Sequence, residues 1–237
     1  MPHSKISLKE AADFLHLPVE DLKYLAQRGI APAIREKGKI LFRKKAIKDW
    51  ATFSLFKDKN QKLGKKHFSP TTLWSNSNEN PKTLAEMLSL KCFHHNVSAR
   101  TKPSILKELT NIALDTYLLT DSELLLKLLK EREEQLSTGM NKGVAIPHPE
   151  IHPPYLFLES FMIVAKTISF IPFGSLDGEK TDIFFMPCAV SDEEHIFMLS
   201  RLASMIKKTT FINDLRSCDS DIEMKEVFTL KEEEILL

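Results

Sequence analysis

The chain has 237 residues, 43% hydrophobic and 27% charged, with a formal net charge of +1 and three cysteines. That size and apolar content suffice for one sizeable core plus a smaller module. Cys92, Cys188 and Cys218 are too few and too scattered for a disulfide framework, which fits a reducing cytoplasm. No signal peptide opens the sequence and no apolar run reaches the ~18 residues of a membrane span.

The near-zero charge hides an asymmetry. Residues 1–69 hold 16 basic and 7 acidic side chains, a surplus of nine positive charges. The remainder holds 17 basic and 25 acidic, an excess of eight negative. Such a division predicts two domains with different partners, the basic one suited to an anionic polymer.

In chain order, Ser7 caps a helix from Leu8, with Glu10 at the reciprocal capping-box position and Ala11, Ala12 and Leu15 on its apolar side. Pro18 restarts the chain, and Leu22, Leu25 and Ala26 stripe a second helix that Gly29 ends in the left-handed C′ manner. Ala33-Ile34-Arg35, the turn Glu36-Lys37-Gly38 and Lys39-Ile40-Leu41-Phe42 read as a β-hairpin, and Arg43 to Trp50 as a third helix. Helix, turn, helix, hairpin, helix is the order of a small winged helix-turn-helix.

Residues 6–53 resemble the excisionase/MerR-type DNA-binding module. Lys9-Glu10-Ala11-Ala12, Arg28-Gly29-Ile30 and Phe42-Arg43 carry the likeness. The resemblance implies that the second helix enters a major groove of double-stranded DNA while the hairpin touches the backbone. Lys23, Gln27 and Arg28 would then face base edges or phosphates, and Lys37, Lys39, Arg43, Lys44 and Lys45 would neutralise phosphates. Glu20 and Asp21 depart from the family, which places small hydroxyl residues there. Carboxylates at that helix start suit its dipole but repel DNA. A basic domain that docks a protein stays open.

Residues 57–82 lose apolar periodicity and read as a linker, with Leu63, Phe68, Leu73 and Trp74 as large apolar residues. Domains are therefore expected over 1–56 and 83–237. Within the second, Thr83 to Leu90 reads as a short helix, Cys92 to Val97 as a strand, and Lys102 to Leu118 and Ser122 to Glu134 as helices. Tyr155 to Leu158 running into Phe161 to Ala165 has a strand pattern. Thr181 to Val190 lacks polar alternation and reads as a central strand buried on both faces. Ser191 starts a long helix with a second capping box completed by Glu194, and Asn213 to Leu215 and Asp221 to Phe228 supply short helices. The expected class is α/β, a mixed sheet flanked by helices on both faces, plus the small winged helix-turn-helix domain.

Two of only seven glycines, Gly139 and Gly143, fall in Arg132 to Ile151, REEQLSTGMNKGVAIPHPEI. Glycines concentrated in one loop point to unusual backbone angles or close approach. Val144-Ala145-Ile146-Pro147 then reads as a short buried strand that presents His148 from a stiff proline. Arg132-Glu133, Ser137-Thr138-Gly139 and Gly143 to His148, with Asp182 to Phe185 and His195 ahead of Leu199-Ser200, resemble the phosphotransferase-system IIA domains of the mannitol/fructose class, nearest the nitrogen-regulatory IIA proteins.

The resemblance covers roughly residues 83–228 and implies that His148 accepts a phosphoryl group from phospho-HPr. Neutral imidazole is a competent nucleophile near pH 7, and phosphoryl transfer needs mainly positioning and charge stabilisation. Arg132 would offer guanidinium donors to the phosphoryl oxygens or orient the loop, and Ser137 and Thr138 would hydrogen-bond the histidine or those oxygens. His195 would be the second histidine beside the phosphoryl group, near a helix start that favours anions. Pro149-Glu150 departs from the family's glycine and lysine: proline lacks an N–H and Glu150 adds negative charge.

His148 and His152 have H-x3-H spacing, but prolines 149, 153 and 154 disfavour a shared helix face and no third ligand is evident, so neither a metal nor a cofactor is expected. No IIB-like cysteine segment or membrane-spanning IIC segment is present, so sugar transport by this chain alone is not expected. The reading is a cytoplasmic regulator in which a phosphohistidine-bearing IIA domain, a phosphocarrier component rather than a free-standing enzyme, controls a DNA-binding domain and a downstream protein. A phosphocarrier whose amino module docks a protein, or a phosphorylation-dead regulator, remain the alternatives, and oligomeric state is open.

Overall fold

The structure is a computed structural model that describes residues 5–15, 17–56, 83–175 and 177–236. The expected linker, with Leu63, Phe68, Leu73 and Trp74, lies outside the described residues. Two compact units divide the chain, one of residues 1–81 together with Leu199–Ala203, the other of residues 82–198 and 204–237.

The first unit runs β1 (Lys5–Ser7), α1 (Leu8–Phe14), α2 (Val19–Gln27), β2 (Ala33–Glu36), β3 (Lys39–Arg43) and α3 (Lys44–Phe56). Ser7 and Glu10 close both halves of a capping box on α1. At the end of α2, Gly29 takes φ +68°, and the N–H groups of Ile30 and Gly29 donate to Leu25 and Ala26 carbonyls at 2.9 and 3.2 Å. That is a Schellman stop, which needs a residue without Cβ strain at C′. Lys37 and Gly38, at φ 47° and 77°, form the two-residue turn whose twist matches paired strands. Sequence patterning missed β1, which pairs antiparallel with β3 (Ile6 opposite Phe42), so the sheet order is β1-β3-β2. Three residues are too few to show alternation.

The second unit holds a five-stranded sheet of β4 (Phe93–Val97), β5 (Gly139–Met140), β6 (Val144–Ala145), β7 (Phe161–Ile171) and β8 (Thr181–Cys188), in the order β4-β7-β8-β6-β5. Pairings β4–β7 and β6–β8 are parallel, β7–β8 and β5–β6 antiparallel, so the sheet is mixed. All eight residues of β8 are buried, as its unbroken apolar run predicts. The helices are α4 (Lys102–Asp115), α5 (Ser122–Gln135), α6 (Asp192–Lys208), α7 (Phe211–Ser217) and α8 (Asp221–Leu236). Ring contacts of Phe93 with Phe228, Phe228 with Phe211 and Phe211 with Phe185, at 5.7, 5.5 and 5.6 Å, join β4, α8, α7 and β8 into one core.

Four expectations need correction. Thr83 to Leu90 is not an α-helix but 3-10 turns at Ala85–Met87 and Leu90–Cys92. The N–H groups of Leu84 and Ala85 donate to the buried Glu232 carboxylate on α8, at 2.7 and 2.6 Å. The same anchoring, with Ile235 buried, extends α8 to Leu236, past the expected Phe228. Tyr155 to Leu158 forms only an isolated bridge, Leu119 with Phe157. Pro153 and Pro154 supply no N–H to a ladder, and Tyr155 takes φ +73°, which turns the chain. Ser191 caps α6, but the Glu194 carboxylate accepts from Ser160 rather than closing a second box.

Candidate functional site

The site grows from the carboxyl end of α5. Arg132 lies in its last turn, is 6% exposed, and donates through Nη1 to the Leu136 carbonyl at 2.8 Å. This satisfies one of the orphan carbonyls at a helix end and sets a cation against the negative end of the dipole. Glu133, its neighbour, is a hub. One carboxylate oxygen accepts from the backbone N–H of Thr138 at 2.7 Å and from the Thr138 hydroxyl, and the other from Lys102 Nζ at 3.0 Å. Ser137 donates to the Phe173 carbonyl at 3.1 Å and accepts from the Gly139 N–H at 3.2 Å. Both hydroxyls expected at the site are thus tied into the fold of the loop.

Strands β5 and β6 make a minimal hairpin with Gly139 opposite Ala145, and Ile146 N–H continues the ladder to the Thr138 carbonyl at 3.1 Å. The pairing sets Ser-Thr-Gly alongside Ala-Ile-Pro, immediately before His148. Each glycine is required for a different reason. A Cβ on Gly139 would sit 2.9 Å from the Ser175 backbone nitrogen. Gly143 has φ +71°, and a Cβ there would meet Arg216 Nη2 at 2.5 Å and Asp182 Oδ1 at 2.9 Å. Arg216 holds Asp182 through two bonds, 2.7 and 2.6 Å, and reaches the Lys142 carbonyl at 2.5 Å. The Asp182 hydrogen bond, with its charge, raises the Arg216 pKa above the usual guanidinium value against the effect of burial.

This crowding yields a test. Gly178 has φ +75° with nothing within 4 Å of where a methyl would stand, so Gly178→Ala bears backbone strain alone. Gly178→Ala is expected to lower stability by about 1 kcal/mol and Gly143→Ala by about 2–3 kcal/mol. Equal shifts in denaturant midpoint would show that the Arg216–Asp182 contact does not matter.

His148 is 5% exposed, and its Nδ1 lies 2.7 Å from the Ile146 carbonyl oxygen. A carbonyl only accepts, so Nδ1 carries the proton and Nε2 of the neutral ring keeps its lone pair. His195, in the first turns of α6 and wholly buried, places its ring centroid 4.9 Å from that of His148. His152 follows at 5.1 Å on the other contact of His195, with its Nδ1 3.0 Å from Asp192 Oδ1. The structure therefore brings His148 and His195 into contact and sets Ser137, Thr138 and Arg132 in the adjoining α5–β5 corner. Glu150 is bonded by Gln135 Nε2 at 2.5 Å, and Pro149 is buried.

Sequence reasoning did not assign roles to Glu133, Lys102, Asp182, Arg216 or His152. Glu133 was hidden in a run of charges on one helix, and His152 entered only as half of a metal-like pair. Among the described residues no group of three or more His, Cys, Asp or Glu side chains is arranged to hold a metal ion. No helix among them is long and apolar enough to cross a membrane.

The residues expected to meet DNA all lie in the first unit. Gln27, Arg28, Lys37, Lys39, Arg43 and Lys45 are exposed. Lys23 is 3.5 Å from Glu20, Arg28 stacks 4.8 Å over Tyr24, and Lys44 lies 5.0 Å over the Phe14 ring.

A family model described as the phosphoenolpyruvate-dependent sugar phosphotransferase system, EIIA 2, matches residues 86–231. The chain is 26% identical over 155 residues to a nitrogen regulatory protein of Klebsiella oxytoca, covering 65% of this chain and 94% of that one. It is 29% identical over 137 residues to the PTS system fructose-like EIIA component of Escherichia coli (strain K12), covering 56% and 90%. The crystal structure of nitrogen regulatory protein IIA-Ntr from Neisseria meningitidis superimposes with a TM-score of 0.54 at 22% identity, over 61% of this chain and 97% of that one.

Proposed function

The chain belongs to the EIIA 2 family of the phosphoenolpyruvate-dependent sugar phosphotransferase system, and from that premise we propose that His148 is its phosphoryl acceptor, charged by phospho-HPr. The observation that carries this reading is the 2.7 Å contact of His148 Nδ1 with the Ile146 carbonyl. It selects the tautomer in which Nε2 is the nucleophile. In the transfer, the Nε2 lone pair forms the new N–P bond as the donor's N–P bond breaks, and that electron pair returns to the donor ring. The proton stays on Nδ1, hydrogen-bonded to the Ile146 carbonyl throughout, so the step needs no base.

His195 is the neighbouring ring that faces the incoming phosphoryl group, close to the amino end of α6, where the dipole favours an anion. Arg132, Ser137 and Thr138 act by holding the loop, since the contacts described for them run inward to Leu136, Phe173 and Glu133. Glu150 is drawn to Gln135 at the end of α5, which supports a working acceptor despite the Pro149-Glu150 departure. Incubation of the full chain with phosphoenolpyruvate, enzyme I and HPr should yield an acid-labile phosphohistidine with an Nε2 phosphorus signal. No incorporation, or an Nδ1 adduct, overturns the assignment.

In this proposal the first unit is a winged helix-turn-helix that binds double-stranded DNA, and phosphorylation of the second regulates it and a downstream protein. The surplus of positive charge over residues 1–69 and the order of α1, α2, hairpin and α3 support this reading. A phosphoryl group adds about 1.5–2 negative charges to an already acidic unit. Binding of the full chain to duplex DNA should weaken linearly in log salt. Lys37→Ala, Lys39→Ala and Arg43→Ala should each reduce that slope by about one. Salt-independent binding, or none at low salt, sinks the DNA arm and leaves a protein-docking module.

A further inference from the structure

We propose that His152, seated by Asp192, is a positioning residue for His195. The proposal rests on the reading of His148 and His195 as the phosphoryl site. His195 and Asp192 are three residues apart on α6 and so lie on one helix face, a turn from each other. His152 arrives from a different segment, the turn after Pro149, and meets both. Its Nδ1 is 3.0 Å from Asp192 Oδ1 and its ring centroid is 5.1 Å from that of His195, tilted by 51°. The His152 side chain is 5% exposed, and its Nε2 and both ring nitrogens of His195 are shielded from solvent.

The contacts link Asp192 to His152, His152 to His195 and His195 to His148. His195 thus has two imidazole neighbours at nearly equal distance, 4.9 and 5.1 Å between ring centroids. A ring with one rotatable bond beyond Cβ is oriented by what flanks it. His148 is fixed by the Ile146 carbonyl, and His152 is fixed by Asp192, so both faces of the choice for His195 are set by hydrogen-bonded neighbours. The carboxylate accepts from His152 Nδ1, which fixes that ring's orientation in turn. Holding the second histidine of a phosphoryl site in one orientation is the preorganisation on which this chemistry depends. His152 meets His195 through a ring contact and Asp192 through a hydrogen bond, so both bear on the site without touching the substrate.

The test uses the intact chain with His152→Ala, Asp192→Ala and the double variant, and reads two quantities. Ring-nitrogen shifts of His195 in uniformly 15N-labelled protein report its tautomer and orientation without any phosphorylation. Phosphoryl uptake from phospho-HPr reports the consequence. Each single variant is expected to shift the His195 ring signals and to slow uptake about tenfold with little change in the apparent KM for the donor. The double variant is expected to be no slower than either single one, because the two residues act as a unit. His152→Phe fills the same space without a ring nitrogen, so it should shift His195 too, even where the alanine variant is too unstable to study. Unchanged His195 signals in a folded His152 variant overturn the proposal, as do additive losses. If the wild-type chain takes up no phosphate, the phosphoryl-acceptor reading fails, while the ring-nitrogen arm still decides whether His152 positions His195.

Discussion

His148→Ala is expected to abolish phosphate uptake by the full chain, by a factor of at least about a thousand. The reason is chemical: in the proposed site the nucleophile is Nε2 of a ring whose other nitrogen lies 2.7 Å from the Ile146 carbonyl oxygen. Alanine removes the nucleophile, and no rearrangement of the loop supplies another. His148→Asn is the stricter control. Its amide N–H can take the place of Nδ1–H on Ile146, so the loop keeps its hydrogen bond while the nucleophile is lost. Both variants should melt within a few degrees of wild type and both should be inert to phospho-HPr. Uptake that persists unchanged in either one moves the site elsewhere.

Glu133→Ala is expected to cost about 3 kcal/mol of stability and, with it, a large part of phosphoryl uptake. The Glu133 side chain is 3% exposed, and its carboxylate meets the Thr138 N–H, the Thr138 hydroxyl and Lys102 Nζ. Truncation leaves a buried N–H and a buried hydroxyl without an acceptor, and deprives Lys102 of its counter-charge. The loss falls on the strand segment whose Thr138 carbonyl receives Ile146 N–H, two residues before His148. Glu133→Gln should recover part of the stability, because an amide oxygen can still accept from Thr138, but not the pairing with Lys102. Chemical denaturation of the three proteins, alongside the uptake assay, reads both effects. A Glu133→Ala chain as stable as wild type would falsify the hub assignment.

Much of this molecule was legible in the residues. The capping box at Ser7 and Glu10, the glycine stop after α2 and the Lys37-Gly38 turn are local, and local chemistry decides them. The central position of β8 followed from an apolar run without alternation, since only a strand covered on both faces tolerates it. Failures came where a distant group competes for the backbone or supplies a missing partner. Glu232, nearly 150 residues downstream, takes the Leu84 and Ala85 N–H groups and ties this segment to α8. Glu194 satisfies Ser160 in place of its own cap.

The same division runs through the site. Sequence alone singled out the candidate residues, because a histidine after Gly-Val-Ala-Ile-Pro, an arginine one helix earlier and a hydroxyl pair between them are a pattern of types and spacings. It also separated a basic amino-terminal part from an acidic remainder, because charge is additive along a chain. Only the tertiary structure set the Ile146 carbonyl against Nδ1 of His148, the contact on which the proposed choice of nucleophilic nitrogen rests. Only it placed Glu133 behind Thr138 and set His152 and Asp192 against His195. Those contacts join residues whose separation in sequence bears no relation to their separation in space, and hydrogen bonds and packing act at about 3–5 Å regardless of the length of chain between.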